Sequence, residues 1–303
     1  MPLKPFMDVK DVTAHLVNDP RKSNLAARVI SALVMMPVVI ASTYLGFPYF
    51  NFLVCLCAAL MAWEYSRIIL VGRLGYEGGC LIIGLVGAVL VASTDDYTSA
   101  FLLLGVAAIV FLGIDAVKRV IIKASTHSPE MKKVVYQANS LWMVAGGLYM
   151  GGACICLVWI RNYWDNGSLA VIWILVLVWA SDSGAYAAGR LIGGPKLAPK
   201  ISPNKTWAGL AGCVVSAGIV GAVVAQSTNL NTLYGFIAIS ALIGLVSQMG
   251  DLVESAIKRH FGVKDSSNLI PGHGGVLDRV DALLAAIFAA VLISLVNKGP
   301  LLS

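Results

Sequence analysis

Nine apolar stretches recur along this chain of 303 residues, and they restrict its fold more than any other feature. A helix needs about 20 apolar residues to cross the hydrocarbon core of a bilayer, which is about 30 Å thick. Hydrophobic residues make up 58% of the sequence and charged residues only 13%, which excludes a soluble domain. The predicted fold class is therefore all-α: a polytopic membrane helix bundle with about nine transmembrane helices. The spans are predicted at 26–46, 49–70, 78–93, 99–115, 141–160, 168–189, 207–226, 232–252 and 280–297.

Positive charge is distributed very unevenly over the loops that join these stretches. Of the 22 lysines and arginines, only Arg161 and Lys298 fall on one side of the predicted bundle. Basic loops stay on the cytoplasmic side, so the pattern predicts a cytoplasmic N-terminus. The net charge of +6 suits a surface of anionic membrane lipids. Nucleic acid is not expected as a partner, because the sequence contains no soluble basic domain to hold it.

The motifs that carry chemistry lie in the second half, which divides the chain into two predicted regions. Residues 1–165 are predicted to form membrane helices behind a cytoplasmic N-terminal segment, and residues 166–303 to form the catalytic membrane region. In the first region, Glu64 near the end of a span is predicted to reach solvent. Asp95 and Asp96, in a short outer loop, are interpreted in the same way.

Two polar segments of the second region are predicted to face the cytoplasm. In the first, Asp182 lies between two serines inside an apolar helix. An unpaired charge there is costly, so a role in positioning metal or substrate is favoured over helix packing. The second segment joins spans six and seven, and its cations and hydroxyls beside a helix N-terminus are typical of phosphate binding. Its predicted substrate contacts are Ser202, Asn204, Lys205 and Thr206, the last also as a helix cap.

A third segment, a run of charge and glycine, precedes the ninth span. On a helix that begins near Asp251, Ser255 and Lys258 share one face with that carboxylate. Asp278 and Asp281 would project together from the start of the ninth span. If the two helix ends meet, Asp251, Asp278 and Asp281 would gather around a hard cation such as Mg²⁺.

A glycine-rich loop, Pro271-Gly-His-Gly-Gly275, joins these two helix ends. Glycine lets backbone N–H groups approach an anion closely, so the loop is interpreted as a cradle for phosphates. His273 is a candidate donor to a phosphate oxygen, although a lone histidine is often an ordinary satisfied polar group.

Residues 255–281, SAIKRHFGVKDSSNLIPGHGGVLDRVD, resemble the signature of the phosphatidate cytidylyltransferases, or CDP-diacylglycerol synthases. The motifs SDSGAY and SPNKTW extend the resemblance over about residues 170–285, whereas the N-terminal half agrees only in being hydrophobic. One position departs from the family. Ala208 stands where members often carry glutamate, so no role of that acidic side chain carries over.

The resemblance implies an enzyme that transfers CMP from CTP to phosphatidic acid, giving CDP-diacylglycerol and pyrophosphate in phospholipid biosynthesis. The reaction would take place at the cytoplasmic face of an integral multi-pass protein, expected in a bacterial inner membrane. The attacking phosphate oxygen is already anionic, so no strong general base is required. The resemblance also implies Mg²⁺, a second cation whose identity is open, and a homodimer.

Residue roles follow as hypotheses from the resemblance and the charge pattern. Asp251 and Asp278 are predicted as principal metal ligands, with Asp281 and Asp182 in support. Lys258 and His273 join the two principal aspartates as predicted catalytic residues. The remaining predicted contacts to CTP or phosphatidic acid are Ser255, Arg259, Gly274, Gly275 and Arg279.

Two other classes of protein share parts of this pattern. A cation-coupled transporter would use buried Asp182 and the glycine-rich region as an ion path, but the charges lie on one side only. A CTP-dependent lipid alcohol kinase or a polyprenyl-phosphate sugar-phosphate transferase also uses aspartates and Mg²⁺. Only the motif over residues 255–281 separates these phosphotransferases from a cytidylyltransferase.

Overall fold

A computed structural model describes residues 20–125, 139–228, 232–270 and 273–302. The predicted N-terminal segment before residue 20, and residues 271 and 272 of the glycine-rich loop, lie outside the described residues. The described chain forms nine helices and two short strands. They are α1 (Pro20–Leu45), α2 (Tyr49–Ile69), α3 (Gly75–Ala92), α4 (Tyr97–Ser125), α5 (Asn139–Tyr163), α6 (Gly167–Leu191), β1 (Lys196–Ala198), β2 (Ser202–Thr206), α7 (Trp207–Ser227), α8 (Leu233–His260) and α9 (Leu277–Val296).

Each predicted span coincides with one of these helices, so the all-α membrane fold is confirmed. Helices α2 to α9 are long and apolar enough to cross a membrane, and α1 carries a shorter apolar stretch, Ile30–Leu45. The chain is a multi-pass membrane protein. The segment that joins the sixth and seventh spans contains the two strands, and β2 pairs antiparallel with β1 in a small hairpin.

Helix α8 extends well beyond its predicted span. Its 28 residues correspond to about 42 Å, more than the thickness of the hydrocarbon core. No proline interrupts it. Asp251 therefore lies inside one continuous helix, and the prediction of a new helix beginning near this residue is wrong.

Contacts between helix ends define the two ends of the bundle. At one end, Glu64 near the end of α2 accepts a hydrogen bond from the N–H of Leu277 at the start of α9. At the opposite end, Arg161 of α5 donates to the carbonyls of Thr43 and Tyr44, where α1 ends. We call the end that contains Glu64 and Leu277 the site end, because the polar residues predicted for a site lie there.

Small residues allow close helix packing near the site end. A Cβ atom on Gly250 of α8 would lie 2.5 Å from the Cβ of Ala285 and 3.1 Å from the carbonyl of Asp281, both on α9. The missing side chain therefore lets α8 and α9 approach at the level of their acidic residues. The apolar core between helices includes the fully buried Met61 and Ile174.

Candidate active site at one end of the helix bundle

Lys258 lies at the centre of an acidic cluster at the site end. Its side chain is 9% exposed, and its Nζ atom lies 2.6 Å from Asp278 Oδ1 and 3.2 Å from Glu254 Oε1. Asp281 is also close enough to interact electrostatically with this ammonium group. A single buried cation therefore offsets the charge of several carboxylates, and it pairs with Asp278 on α9 and Glu254 on its own helix.

Asp278 connects the start of α9 to the loop that precedes it. Its Oδ1 faces Lys258, and its Oδ2 accepts hydrogen bonds from Ser266 N and Oγ, both at 2.8 Å, and from Gly275 N at 2.9 Å. The Asp278 side chain is only 6% exposed. These contacts stabilise the ionised carboxylate and fix its position relative to α8.

A second charged group brings together α6, β2 and α8. The Nζ atom of Lys205 on β2 lies 2.7 Å from Asp251 Oδ2, and Ser255 donates to Asp251 Oδ1 at 3.2 Å. The predicted shared face of Asp251 and Ser255 is therefore present. Asp182 of α6 accepts from Gln248 Nε2 at 2.9 Å and interacts electrostatically with Asp251 and Lys205. Asp182 thus belongs to the charged site rather than to helix packing alone.

The carboxylates of the two groups lie close together but do not form a ready metal cage. Asp281 interacts with both Asp251 and Glu254. Within the described residues, no three His, Cys, Asp or Glu side chains form a group that could hold a metal ion. The predicted gathering of Asp251, Asp278 and Asp281 into one ligand set is therefore not seen, because Lys258 and the loop engage Asp278.

The composition of the site nevertheless fits a hard cation. Five carboxyl groups face three basic side chains, so oxygen ligands outnumber the cations that the protein itself supplies. The carboxylates are Asp182, Asp251, Glu254, Asp278 and Asp281, and the cations are Lys205, Lys258 and Arg279. Mg²⁺ is usually held by one or two carboxylates together with water and substrate phosphates rather than by a protein cage. The residues present fit such an ion.

The glycine-rich loop is organised by bonds within the protein. The N–H groups of residues 273 and 274 donate to the carbonyl of Ile270, and those of residues 275–277 donate to Asp278 and Glu64. Gly274 has a φ of +86°, a left-handed conformation that favours glycine. Each of these N–H groups already donates to an acceptor within the protein. At these positions the loop therefore has no unpaired N–H group for the phosphate cradle that the sequence predicted.

Glu64 is the largest departure from the sequence prediction. The side chain is 0% exposed and lies within hydrogen-bond distance of four donors, so the prediction of a solvated carboxylate is wrong. The site end of α9 packs against it and removes the path to solvent. A usable signal existed, since an ionisable residue inside an apolar span indicates a functional site, the same rule that favours Asp182. Asp95 and Asp96 are exposed, as predicted.

Glu254 is a second residue that the sequence analysis did not identify. It lies one turn before Lys258 on α8, and this i,i+4 spacing of opposite charges was the available signal. Its side chain is largely buried, and the ion pair with Lys258 places it in the acidic cluster.

The remaining predicted residues are divided between the site and the surface. Thr206 is the N-cap of α7, as predicted, with its Oγ1 accepting from Gly209 N at 3.0 Å. Ser202 and Asn204 lie on β2, beside Lys205. Arg259 is exposed and donates to the carbonyl of Val263, so the structure does not bring it into the acidic cluster.

An apolar cavity of about 350 Å³ lies beside the charged residues. Asp182, His273 and Arg279 contribute to its lining at the site end, and His273 Nδ1 lies 2.7 Å from Ser31 Oγ. Aliphatic side chains from α1, α2, α5, α6 and α9 form the walls. The lining residues on α1 run from Ala32 to Thr43, a distance of about 17 Å along the helix, or just over half the hydrocarbon core.

Comparison with known proteins places this site in a family context. The sequence profile described as the Cytidylyltransferase family matches residues 26–296. The phosphatidate cytidylyltransferase of Pseudomonas aeruginosa is 35% identical over 289 residues, which cover 88% of this chain and 97% of that relative. The proteins of the same name from Brucella suis and Bacillus subtilis are 46% and 40% identical, over 48% and 47% of this chain. In both of these, the match spans about half of the relative, 54% of its length.

The described residues form nine packed helices, and a cluster of acidic and basic side chains lies beside an apolar cavity at one end of the bundle. These features define an integral membrane protein with a charged site. The match over most of the chain then identifies the family. The chain belongs to the cytidylyltransferase family.

Proposed function

We propose that this protein is a phosphatidate cytidylyltransferase, which transfers CMP from CTP to phosphatidic acid and forms CDP-diacylglycerol and pyrophosphate. The observation that carries the proposal is the charged cluster at the end of an apolar cavity about one leaflet deep. Such a site suits a lipid with a phosphate headgroup together with a polar nucleotide. The names of the bacterial relatives support the same activity.

The cavity supplies the binding site for the lipid substrate in this proposal. Acyl chains would pack against its aliphatic walls, including Val178 and Leu283, while the phosphate stays at the site end. Arg279 and His273 line that end of the cavity and are the proposed headgroup contacts. His273 is oriented by Ser31 of α1, so a helix of the N-terminal region takes part in forming the headgroup site.

The nucleotide would bind on the polar side of the cluster. The hairpin places Lys205 against Asp251, with Ser202 and Asn204 on the same strand. We propose that these side chains contact the phosphates of CTP. Exposed Arg259 remains a candidate contact for a phosphate outside the buried cluster.

Metal assistance is part of the proposal and rests on the excess of carboxylates over cations. We propose that Asp182, Asp251, Asp278 and Asp281 are the carboxylates that would hold Mg²⁺ together with substrate phosphates. A second cation of open identity is proposed beside it. When bound, these ions would neutralise phosphate charge and favour departure of pyrophosphate.

The chemistry requires charge stabilisation more than proton transfer. An anionic oxygen of phosphatidic acid forms a bond to the α-phosphorus of CTP. The bond to the oxygen that bridges to the β-phosphate breaks, and pyrophosphate leaves with that electron pair. Lys205, Lys258 and Arg279 are the proposed cations that stabilise the charge as it moves onto the leaving group.

We further propose that the site end faces the cytoplasm of a bacterial inner membrane. The strong bias of lysine and arginine toward this side of the bundle supports the orientation, and the bacterial origin of the relatives supports the location. A homodimer is proposed on the family resemblance alone.

The proposed reaction predicts that label from the α-phosphate of CTP moves into lipid. Purified protein in lipid micelles, given phosphatidic acid, α-labelled CTP and Mg²⁺, is expected to form labelled lipid and an equal amount of pyrophosphate. EDTA is expected to stop the reaction, and added Mg²⁺ to restore it. Reactions without phosphatidic acid are the control. Release of CDP without labelled lipid would indicate a kinase, and no chemistry with solute uptake would indicate a transporter.

Filling the cavity is expected to impair use of long-chain lipid selectively. Leu283→Trp places a bulky ring in the cavity, whereas Leu292→Trp makes the same change at a position of α9 that is 61% exposed. We expect Leu283→Trp to raise the KM for a long-chain phosphatidic acid about tenfold, equivalent to displacing one or two methylene groups. A six-carbon phosphatidic acid should be affected less. An equal effect on both lipids would contradict the assignment of this cavity to acyl chains.

A further inference from the structure

The buried carboxylate of Glu64 has an unusually complete set of hydrogen-bond donors. Its Oε1 accepts from Ser267 Oγ at 2.6 Å and from Val276 N at 2.9 Å. Its Oε2 accepts from Leu277 N at 2.7 Å and from Ser266 Oγ at 3.1 Å. Glu64 lies more than 200 residues away from these donors in the chain, so the contact joins two distant parts of the sequence.

All four donors belong to the segment that also holds Asp278. The hydroxyl of Ser266 has one hydrogen and lies between the two carboxylates, 2.8 Å from Asp278 Oδ2 and 3.1 Å from Glu64 Oε2, so the two acids share this donor. Gly275 lies between the two acids, and its N–H donates a hydrogen bond to Asp278. A Cβ atom at this position would collide with Ser266 Oγ and with the Glu64 carboxylate. A displacement of Glu64 would therefore be transmitted directly to the groups that hold Asp278.

Glu64 also replaces the missing cap of α9. Val276 is the N-cap residue of this helix and provides no side-chain hydrogen bond to the first turn. The N–H groups of Val276 and Leu277 at this terminus instead donate to Glu64 of α2. A negative charge at a helix N-terminus is favourable, and here it comes from a different helix.

We propose that Glu64 is a positioning residue of the cytidylyltransferase reaction, acting through the loop and Asp278 rather than by touching substrate. The inference rests on the proposed function for its kinetic consequence. It assigns a role in the site to the N-terminal region, in which the sequence motifs indicated no site residue. Because the start of α9 also carries Arg279, the same carboxylate sets the position of the proposed headgroup contact.

The Glu64→Gln variant distinguishes two roles of this side chain: positioning the loop through its carboxylate, or only filling space between helices. Glutamine has nearly the same volume, but only one of its two terminal atoms accepts hydrogen bonds. Each oxygen of Glu64 accepts one backbone N–H and one serine hydroxyl, so either orientation of the amide directs its NH₂ group at a backbone N–H. The conservative substitution therefore cannot restore the contact.

Two readouts test the proposal in the full-length protein. Glu64→Gln is expected to lower kcat about 100-fold with less than a threefold change in the KM for CTP, because small misplacements of catalytic groups can cost this much while substrate contacts remain. Hydrogen–deuterium exchange in the peptide carrying Gly275, Val276 and Leu277 is expected to increase, with little change in α5. The control is Ser66→Ala, which removes a buried hydroxyl of α2 that bonds only within its own helix, to the Trp63 carbonyl, among the described contacts.

The possible results decide clearly between positioning and packing. Wild-type kcat in Glu64→Gln, an effect confined to KM, or an equal loss in Ser66→Ala would overturn the proposal. If Glu64→Gln does not fold, Ser267→Ala is the second variant, because it removes a single donor to Oε1. It is expected to lower kcat severalfold and to increase hydrogen–deuterium exchange in the same peptide. No change in kcat or in exchange would overturn the proposal. If wild-type protein transfers no CMP, the proposed function fails. The exchange experiment still tests whether Glu64 holds the loop before α9 in place.

Discussion

Asp278→Asn is expected to lower CMP transfer by about 10³-fold or more while the protein remains folded in the membrane. The substitution removes the charge that faces buried Lys258 and directs amide hydrogens either at that ammonium or at the donors on Ser266 and Gly275. It also removes one of the proposed metal ligands. A loss of 10³-fold corresponds to about 4 kcal/mol in the barrier, the size expected when a preorganised electrostatic contact is lost.

The measurement is the initial rate of transfer from α-labelled CTP, with elution from a size-exclusion column as the test of folding. Asp265→Asn is the matched control, because Asp265 is an exposed carboxylate on the loop that leads toward the same helix. Activity near the wild-type level in Asp278→Asn would contradict its proposed role in the site.

Lys258→Met is expected to abolish activity and to destabilise the fold. Methionine fills similar space but leaves Asp278, Glu254 and Asp281 without the cation they share. Removing one partner of a buried ion pair typically costs about 3–5 kcal/mol, because the remaining charge stays buried without compensation. The predicted effect therefore includes stability, beyond the loss of a phosphate contact that the sequence hypothesis assigned to this residue.

Thermal unfolding in detergent, followed by the amount of monodisperse protein that survives heating, measures this effect. Lys264→Met is the control, because Lys264 is an exposed lysine six residues further along the chain. An unchanged unfolding temperature in Lys258→Met would show that its charge does not hold the acidic cluster together.

The helix bundle was predictable because the hydrophobicity and charge of each segment are read from the sequence of that segment alone. A lipid environment requires each spanning segment to satisfy its own backbone hydrogen bonds, so length and apolar composition identify helices without knowledge of their neighbours. Local rules also predicted the Thr206 cap and the contact of Ser255 with Asp251, since both depend on spacing within a single element.

Contacts between distant segments were beyond such rules. The burial of Glu64 depends on the packing of α9 against α2, and the sequence places these helices more than 200 residues apart. The pairing of Lys258 with Asp278 rather than Asp251 depends on how α8 and α9 cross. The lining of the cavity likewise comes from five helices, none of which has a distinctive sequence at that surface.

The sequence by itself determined the membrane-spanning helices, their alternation and the charged motifs, because each is set by composition or by spacing within one segment. Only the tertiary structure decided which carboxylate faces which cation, that Glu64 supports the loop before α9, and that an apolar cavity reaches Arg279. These features arise from the relative positions of packed helices. The energy of interaction between two charges depends on their separation and on how far they are shielded from water, so it is set by geometry that no single segment encodes.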